Sequence, residues 1–138
     1  MERTAKAHWQ GDFKEGKGTL TTQSGVLTNI NYSYRTRFED GGKGTNPEEL
    51  LGAAHAGCFT MSVTAILSKK GLKPLSLDTN ATVTLEGLNI TAVHLSITGA
   101  CVGITADEFA AVVKDAEKIC LISKILNIPV TYEAHFVV

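Results

Sequence analysis

The sequence predicts an α+β fold in which antiparallel β-sheets pack around one long central helix. No charged residue occurs between Glu49 and Lys69, and apolar side chains fall on every face of that stretch, which is typical of an enclosed helix. Residues 75–86 and 130–138 alternate apolar and polar side chains, as strands with one buried face do. The length of 138 residues fits a single domain spanning residues 1–138.

Short strand candidates occupy the front of the chain. They lie at Ala7–Trp9, Gly18–Thr22 and Asn31–Phe38, separated by turns rich in glycine and charge. The glycine-rich loop at 39–44 superficially resembles a phosphate-binding loop. Its Lys43 is followed by glycine rather than serine or threonine, and the spacing is wrong, so nucleotide binding is excluded.

The clearest helix follows this loop. Asn46 is suited to cap it, Pro47 to occupy its first position, and Glu49 to complete a capping box. Gly71 supplies a left-handed stop at the far end. We therefore predict a helix that begins at Pro47 and ends just before Gly71.

This helix is just long enough to span a membrane. Polar residues such as His55 and Thr60 raise the cost of insertion, which favours a core helix instead. One sheet cannot wrap a helix that is apolar on every face. We therefore expect a second subunit to cover the remainder, in a homodimer.

The rest of the chain predicts a hairpin, a helical region and a last strand. Residues 75–86 and 93–98 form the hairpin around a turn at 87–89. Thr105 and Glu108 form a capping box before a helix whose apolar stripe comprises Phe109, Val112, Val113, Ala116 and Cys120. Residues 130–138 form the last strand, with Val130, Tyr132, Ala134, Phe136 and Val138 on its buried face.

Charge and cysteine content narrow the class of protein. With 13 Lys and Arg against 14 Asp and Glu, the net charge of −1 gives no reason to expect nucleic-acid binding. The amino terminus shows no apolar segment of a signal peptide, so we expect a cytoplasmic protein without membrane contact. Three cysteines, an odd number, do not suggest an extracellular disulfide framework.

Two cysteines lie on apolar helices. Cys58 and Cys120, each taken alone, fit the common role of a small buried side chain. If both face inward they can meet, and a helix-borne thiol pair in a reducing compartment indicates a redox couple. Cys101, in phase with the buried face of its strand, is interpreted as core.

His55 lies three residues before Cys58 and therefore on nearly the same helix face. It could act as a base for a cysteine nucleophile, or join Cys58 and Cys120 in a zinc site. Neither cysteine lies in a Cys-x-x-Cys motif, so the zinc signal is weak. A ligand-binding dimer without catalysis, its cysteines merely buried, is a further alternative.

Arg37 and Glu48 flank the loop before the long helix. The plain interpretation is a solvated strand residue for Arg37 and a favourable interaction with the helix amino terminus for Glu48. A straight helix separates Glu48 from Cys58 by about 15 Å along its axis. Direct contact would require a bend or an acid from the second subunit, although a long arginine could bridge much of the gap.

At these residues the sequence resembles the OsmC/Ohr family of osmotically inducible and organic hydroperoxide resistance proteins, and most closely its OsmC branch. The resemblance is strongest at Thr36–Phe38, at Gly44–Leu50 and at Gly52–Phe59. It extends to Ala7–Asp12 and Gly25–Leu27, and covers essentially the whole chain.

This resemblance implies an intertwined homodimer that reduces organic hydroperoxides as a thiol peroxidase of the oxidative stress response. Cys58 matches the peroxidatic cysteine and Cys120 the resolving cysteine, while Arg37 and Glu48 match the pair that activates the thiol. No cofactor or metal is implied, but an external dithiol reductant is. The family often has proline after the second cysteine, where this chain has Leu121.

Apolar walls are expected to favour alkyl hydroperoxides over hydrogen peroxide. Leu51, Phe59 and Met61, or residues of the second subunit, are the predicted substrate-binding residues.

Overall fold

The computed structural model describes residues 1–137, and the chain divides into two compact units. The first comprises Met1–Leu50 and the second Leu51–Val138. The organisation as a single domain stays a prediction.

The first unit is built on a three-stranded antiparallel sheet. Its strands are β1 (Ala5–Gln10), β2 (Lys17–Thr22) and β3 (Ile30–Tyr32), in the order β1-β2-β3. At Gly18 an added Cβ would lie 2.4 Å from the ring of Tyr32 and 2.6 Å from that of Trp9, so glycine leaves room for these two side chains on β2. The strands predicted at the front of the chain are thus confirmed, apart from the end of the third.

The prediction of one strand over Asn31–Phe38 is wrong in its second half. The chain leaves β3 and forms a short helix, α1 (Tyr34–Phe38). The Ser33 hydroxyl accepts a hydrogen bond from the Thr36 amide, and the Thr36 hydroxyl accepts one from the Ser33 amide. This reciprocal capping box overrides the strand preference of the surrounding aromatic residues.

Helix α2 (Pro47–Lys69) begins and ends as the sequence predicts. The Asn46 side-chain oxygen accepts a hydrogen bond of 2.7 Å from the Glu49 amide, satisfying one of the free amides of the first turn. Gly71 has a φ of +77°, the left-handed conformation expected just past the helix. Glu49 does not close the capping box, because its carboxylate accepts a 2.6 Å bond from the Thr45 hydroxyl instead.

The second unit contains a mixed three-stranded sheet. Strands β4 (Pro74–Glu86) and β5 (Asn89–Cys101) form the predicted antiparallel hairpin, and β6 (Val130–Phe136) pairs with β5. This last pairing is parallel, so the sheets are mainly rather than wholly antiparallel. Two helices connect β5 to β6, so the chain returns to the same end of the sheet before β6 begins. Val138 lies outside the described residues.

Those two helices are α3 (Ala106–Ile119) and α4 (Leu121–Ile125). The predicted capping box of α3 is present, with Thr105 and Glu108 each accepting a bond from the other's amide. Cys120 separates the two helices, with φ −61° and ψ 118°.

The core of the second unit lies between α2, α3 and the sheet. Fully enclosed side chains come from α2 (Phe59, Val63, Leu67), from β5 (Val93, Leu95, Ile97) and from the predicted stripe of α3 (Phe109, Val112, Val113, Ala116, with Cys120 at its end). Burial of each large side chain contributes about 1.5–3 kcal/mol. This layer holds α2 against the sheet.

Among residues 1–137, α2 is the one helix long and apolar enough to cross a membrane by length and composition. The core helix of a soluble protein meets the same criterion, and the face of α2 that bears Phe59 and Val63 packs in the core. A second face of α2 is exposed and apolar, with Ala53, Gly57 and Met61 along it.

Candidate active site

Arg37 and Glu48 form a two-pronged ion pair in the first unit. The Arg37 Nε donates to Glu48 Oε1 at 2.9 Å and to Oε2 at 3.3 Å, and Nη2 donates to Oε1 at 2.8 Å. The capped helix α1 presents Arg37, and the first turn of α2 presents Glu48. The Asn46 side-chain Nδ2 connects these two segments by donating a hydrogen bond of 3.1 Å to the Thr36 carbonyl.

The two partners differ in exposure. The Glu48 side chain is 9% exposed, whereas that of Arg37 is 38% exposed. A carboxylate that is so little exposed has lost most of its hydration, and the ion pair with the guanidinium compensates for that loss. Glu48 engages Nε and Nη2, so Nη1 is the donor nitrogen that this carboxylate does not engage. The pair thus presents a fixed, permanently charged donor.

Aromatic side chains surround the guanidinium. The Arg37 Cζ lies 5.2 Å from the centre of the Phe38 ring. The Phe13 ring meets the Tyr34 ring edge-on at a centroid distance of 5.1 Å. A cavity of about 370 Å³ opens beside them; its lining comprises Trp9, Phe13, Tyr32, Ser33, Tyr34, Arg37 and Phe38. Size and lining suit an apolar or aromatic group of a small molecule.

Sequence reasoning missed these lining residues. The only signal was the run of aromatic residues around Arg37, namely Tyr32, Tyr34 and Phe38. Trp9 and Phe13 lie in a separate segment, and nothing in their spacing links them to Arg37.

The two thiols of interest lie in the second unit. Cys120 is fully enclosed in the core, and Cys58 is half-buried and packs against the same core cluster. Both are free thiols. Cys101 is also free and buried, at the end of β5, where its Sγ lies 3.7 Å from the Val102 carbonyl oxygen. The inward placement expected for Cys58 and Cys120 is therefore present, with Cys58 the more accessible of the two.

The three predicted wall residues differ in their surroundings. Phe59 is fully enclosed by the core of the second unit, Leu51 is half-buried, and Met61 is 75% exposed. The Phe59 ring is thus committed to the core, which leaves Leu51 and Met61 as the members of this set that could meet a ligand.

His55 is fully buried and joins α2 to α4. Its Nε2 lies 2.7 Å from the Ser123 hydroxyl oxygen, and its Nδ1 has no hydrogen-bond partner among residues 1–137. Burial lowers the pKa of His55 below 6.5, although the negative charge of Glu117 opposes this. The ring is therefore neutral near pH 7.

The zinc alternative finds no support in the geometry. Within residues 1–137, no group of three or more His, Cys, Asp or Glu side chains is placed so that it could hold a metal ion. His55, Cys58 and Cys120 thus do not form a set of ligands in this arrangement.

Known proteins resemble this chain over nearly its full length. The sequence pattern of the OsmC-like protein family matches residues 39–133. Peroxiredoxin OsmC of Escherichia coli is 44% identical over 137 residues, covering 96% of this chain and 95% of that protein.

Solved structures share the fold. The organic hydroperoxide resistance protein OsmC of Legionella pneumophila superposes with a TM-score of 0.72 at 23% identity, covering 100% of this chain and 98% of that one. An OsmC-like protein of Mycoplasma pneumoniae gives 0.76 at 13% identity, with coverage of 100% and 99%. The fold thus agrees with these structures, and the family match over residues 39–133 with the 44% identity shows that this chain belongs to the OsmC family.

Proposed function

We propose that this protein is a thiol peroxidase that reduces organic hydroperoxides to alcohols. The observation that carries the proposal is the pair of free thiols in one core, Cys58 half-buried and Cys120 enclosed. The near full-length similarity to a protein named peroxiredoxin supports it. A peroxidase of this kind consumes a hydroperoxide and a reductant.

In the first step, the Cys58 thiolate attacks the terminal oxygen of the hydroperoxide. An S–O bond forms, the O–O bond breaks, and the alkoxide leaves and takes a proton to become the alcohol. Cys58 is thereby oxidised to a sulfenic acid.

In the second step, the sulfur of Cys120 attacks that of Cys58. The S–O bond breaks, a disulfide forms, and the Cys120 proton and the hydroxyl group leave as water. An external dithiol then reduces the disulfide by thiol–disulfide exchange. The cycle needs no prosthetic group.

Arg37 and Glu48 are proposed to assist the first step. A guanidinium carries its charge at every relevant pH and can donate to both the sulfur and the departing oxygen. Glu48 holds Nε and Nη2, which orients Nη1. Glu48 is therefore a positioning residue and Arg37 the catalytic one.

The substrate is proposed to carry an apolar organic group. The aromatic cavity beside Arg37 offers that group a place to bind. Transfer of an apolar group from water into the cavity is favourable, whereas water molecules in the cavity make few favourable contacts. Leu51 and Met61 remain proposed as further apolar contacts. Equal kcat/KM values for cumene hydroperoxide and hydrogen peroxide would contradict this preference.

The test of the redox chemistry is a stoichiometric titration. One equivalent of cumene hydroperoxide is added to the reduced protein, and the cysteines are mapped by mass spectrometry. We expect a Cys58–Cys120 disulfide in the parent, no peroxide consumption in Cys58→Ser, and unchanged chemistry in the control Cys101→Ser. Full activity in Cys58→Ser, or unreactive thiols in the parent, would refute the proposal.

A homodimer is proposed to cover the exposed face of α2. Small side chains there allow close approach of a second copy of the helix, and Met61 adds a large apolar side chain that is 75% exposed. Met61→Arg should shift the protein to monomer in sedimentation velocity. Asn80→Arg, on the exposed polar face of β4, is the matched control and should not. A parent that sediments as a monomer would contradict the proposal.

A further inference from the structure

The hydrogen bond between His55 and Ser123 connects the two segments that carry the thiols. His55 lies one helical turn before Cys58 on α2, and Ser123 lies three residues after Cys120 on α4. The two residues are 68 positions apart in the chain. No step of the mechanism proposed above uses either of them.

Besides the burial of Cys120 itself, few contacts hold the short helix that follows it. Cys120 is a break between two helices: its amide donates to the Ala116 carbonyl at 2.9 Å, and its own carbonyl accepts from the Lys124 amide at 3.1 Å. Helix α4 has five residues, too few to be stable without tertiary contacts. Two of its five side chains, Leu121 and Ile125, are 67% and 74% exposed.

Packing of α4 on the core comes from Ile122 and, just after the helix, Leu126. Apolar contacts of this kind are not directional, so they tolerate small slides and rotations. The 2.7 Å bond from Ser123 to His55 is directional, and it fixes the position of α4 along α2.

A histidine at position 55 is energetically unfavourable if the side chain serves only to fill the core. Its Nδ1 is buried without a partner, an arrangement that an apolar side chain would avoid. Protonation does not compensate for this, because burial keeps the ring neutral despite Glu117 on α3. A role for the other ring nitrogen, the one bonded to Ser123, explains why a histidine is accommodated.

We propose that His55 is a positioning residue for the resolving step, the attack of Cys120 on Cys58. By binding Ser123, His55 holds the Cys120 corner, which is the break between α3 and α4 at Cys120, against the helix that carries Cys58. The inference rests on the proposed function. Attack on a sulfenic acid requires the incoming sulfur to lie in line with the S–O bond that breaks. Without the bond to His55, the Cys120 sulfur is in that geometry for a smaller fraction of the time. The rate of disulfide formation therefore falls, while the rate of sulfenic acid formation does not.

The test separates the two steps in Ser123→Ala. Sulfenic acid formation is followed as loss of cumene hydroperoxide under single-turnover conditions, and disulfide formation as loss of the species trapped by dimedone. We expect the first rate to stay within about twofold of the parent and the second to fall by about three- to tenfold, the effect of one neutral hydrogen bond. Ser123→Thr, which keeps the hydroxyl, should restore it.

Two further variants complete the design. His55→Leu should also slow only disulfide formation, without lowering the midpoint of thermal unfolding. Thr79→Val is the matched control, because it removes a 2.6 Å hydroxyl contact between β4 and Thr60 of α2 in which neither α3 nor α4 takes part. Both rates should be unchanged in it.

Each other outcome overturns the proposal. Parental disulfide formation in Ser123→Ala shows that the bond does not position Cys120. Equal slowing of both steps, or a Ser123→Ala protein that does not fold, shows a purely structural role. If the parent protein consumes no peroxide, the proposed function is wrong and the inference fails with it. The titration of the parent protein distinguishes this result from failure of the positioning role alone.

Discussion

Replacing Glu48 by glutamine removes the charge that holds Arg37 while keeping the size of the side chain. In the structure, Glu48 accepts two short bonds from Nε and Nη2, at 2.9 and 2.8 Å, and one longer bond at 3.3 Å. The glutamine side chain keeps one neutral acceptor oxygen in place of the two charged oxygens of the carboxylate. The variant therefore loses about one charge-assisted bond and the ion pair.

The size of the effect follows from exposure. A hydrogen bond to a charged group contributes about 1.5–3 kcal/mol when it is buried. The Arg37 side chain is 38% exposed, so water replaces part of the lost interaction. We expect a loss of about 1–2 kcal/mol of transition-state stabilisation, which lowers kcat/KM for cumene hydroperoxide by about five- to thirtyfold.

The assay is steady-state peroxide consumption with dithiothreitol as the reductant, and a double-mutant cycle with Arg37→Met decides the interpretation. If Glu48 acts only through Arg37, the double variant should be no slower than Arg37→Met alone. Glu49→Gln is the matched control, because its carboxylate binds the Thr45 hydroxyl and not the guanidinium. A Glu48→Gln enzyme within twofold of the parent, or additive effects in the cycle, would refute this reasoning.

Three further predictions concern stability, each measured by urea unfolding. Gly99→Ala should cost about 1–3 kcal/mol, because its Cβ would lie 2.4 Å from the Phe109 ring; parental stability would contradict this close packing. Leu67→Ala should cost about 2–5 kcal/mol, since the side chain is fully buried; a loss below 1 kcal/mol would show that the core collapses around it. Burial depresses the pKa of His55 below 6.5, so the unfolded chain takes up its proton first as the pH falls. The free energy of unfolding should therefore decline below about pH 6.5 by more in the parent than in His55→Met, and equal declines would contradict the depressed pKa.

Local signals in the sequence were sufficient for most elements of the fold. Pro47, Gly71 and Thr105 mark helix ends through backbone chemistry that depends on near neighbours alone, and the structure confirms all three. The OsmC family and the α+β class are likewise confirmed. The capping box at Ser33 and Thr36 was equally local, yet the aromatic residues around it favoured a strand.

Properties that depend on distant segments were less predictable. An alternating pattern has period two in parallel and antiparallel strands alike, so the residues of β6 could not reveal the direction in which it pairs. The cavity beside Arg37 combines side chains from β1, the turn after it, β3 and α1. The bond from His55 to Ser123 joins α2 to α4, and no spacing rule connects those positions.

The parallel pairing of β6 has a consequence for biosynthesis. Because β6 follows every other described element, β5 is synthesised long before its second neighbour leaves the ribosome. Until then, the edge of β5 that pairs with β6 exposes unpaired amides and carbonyls. A nascent chain stalled before Val130 should thus be prone to aggregation, and a chaperone that shields strand edges should raise the yield of native protein.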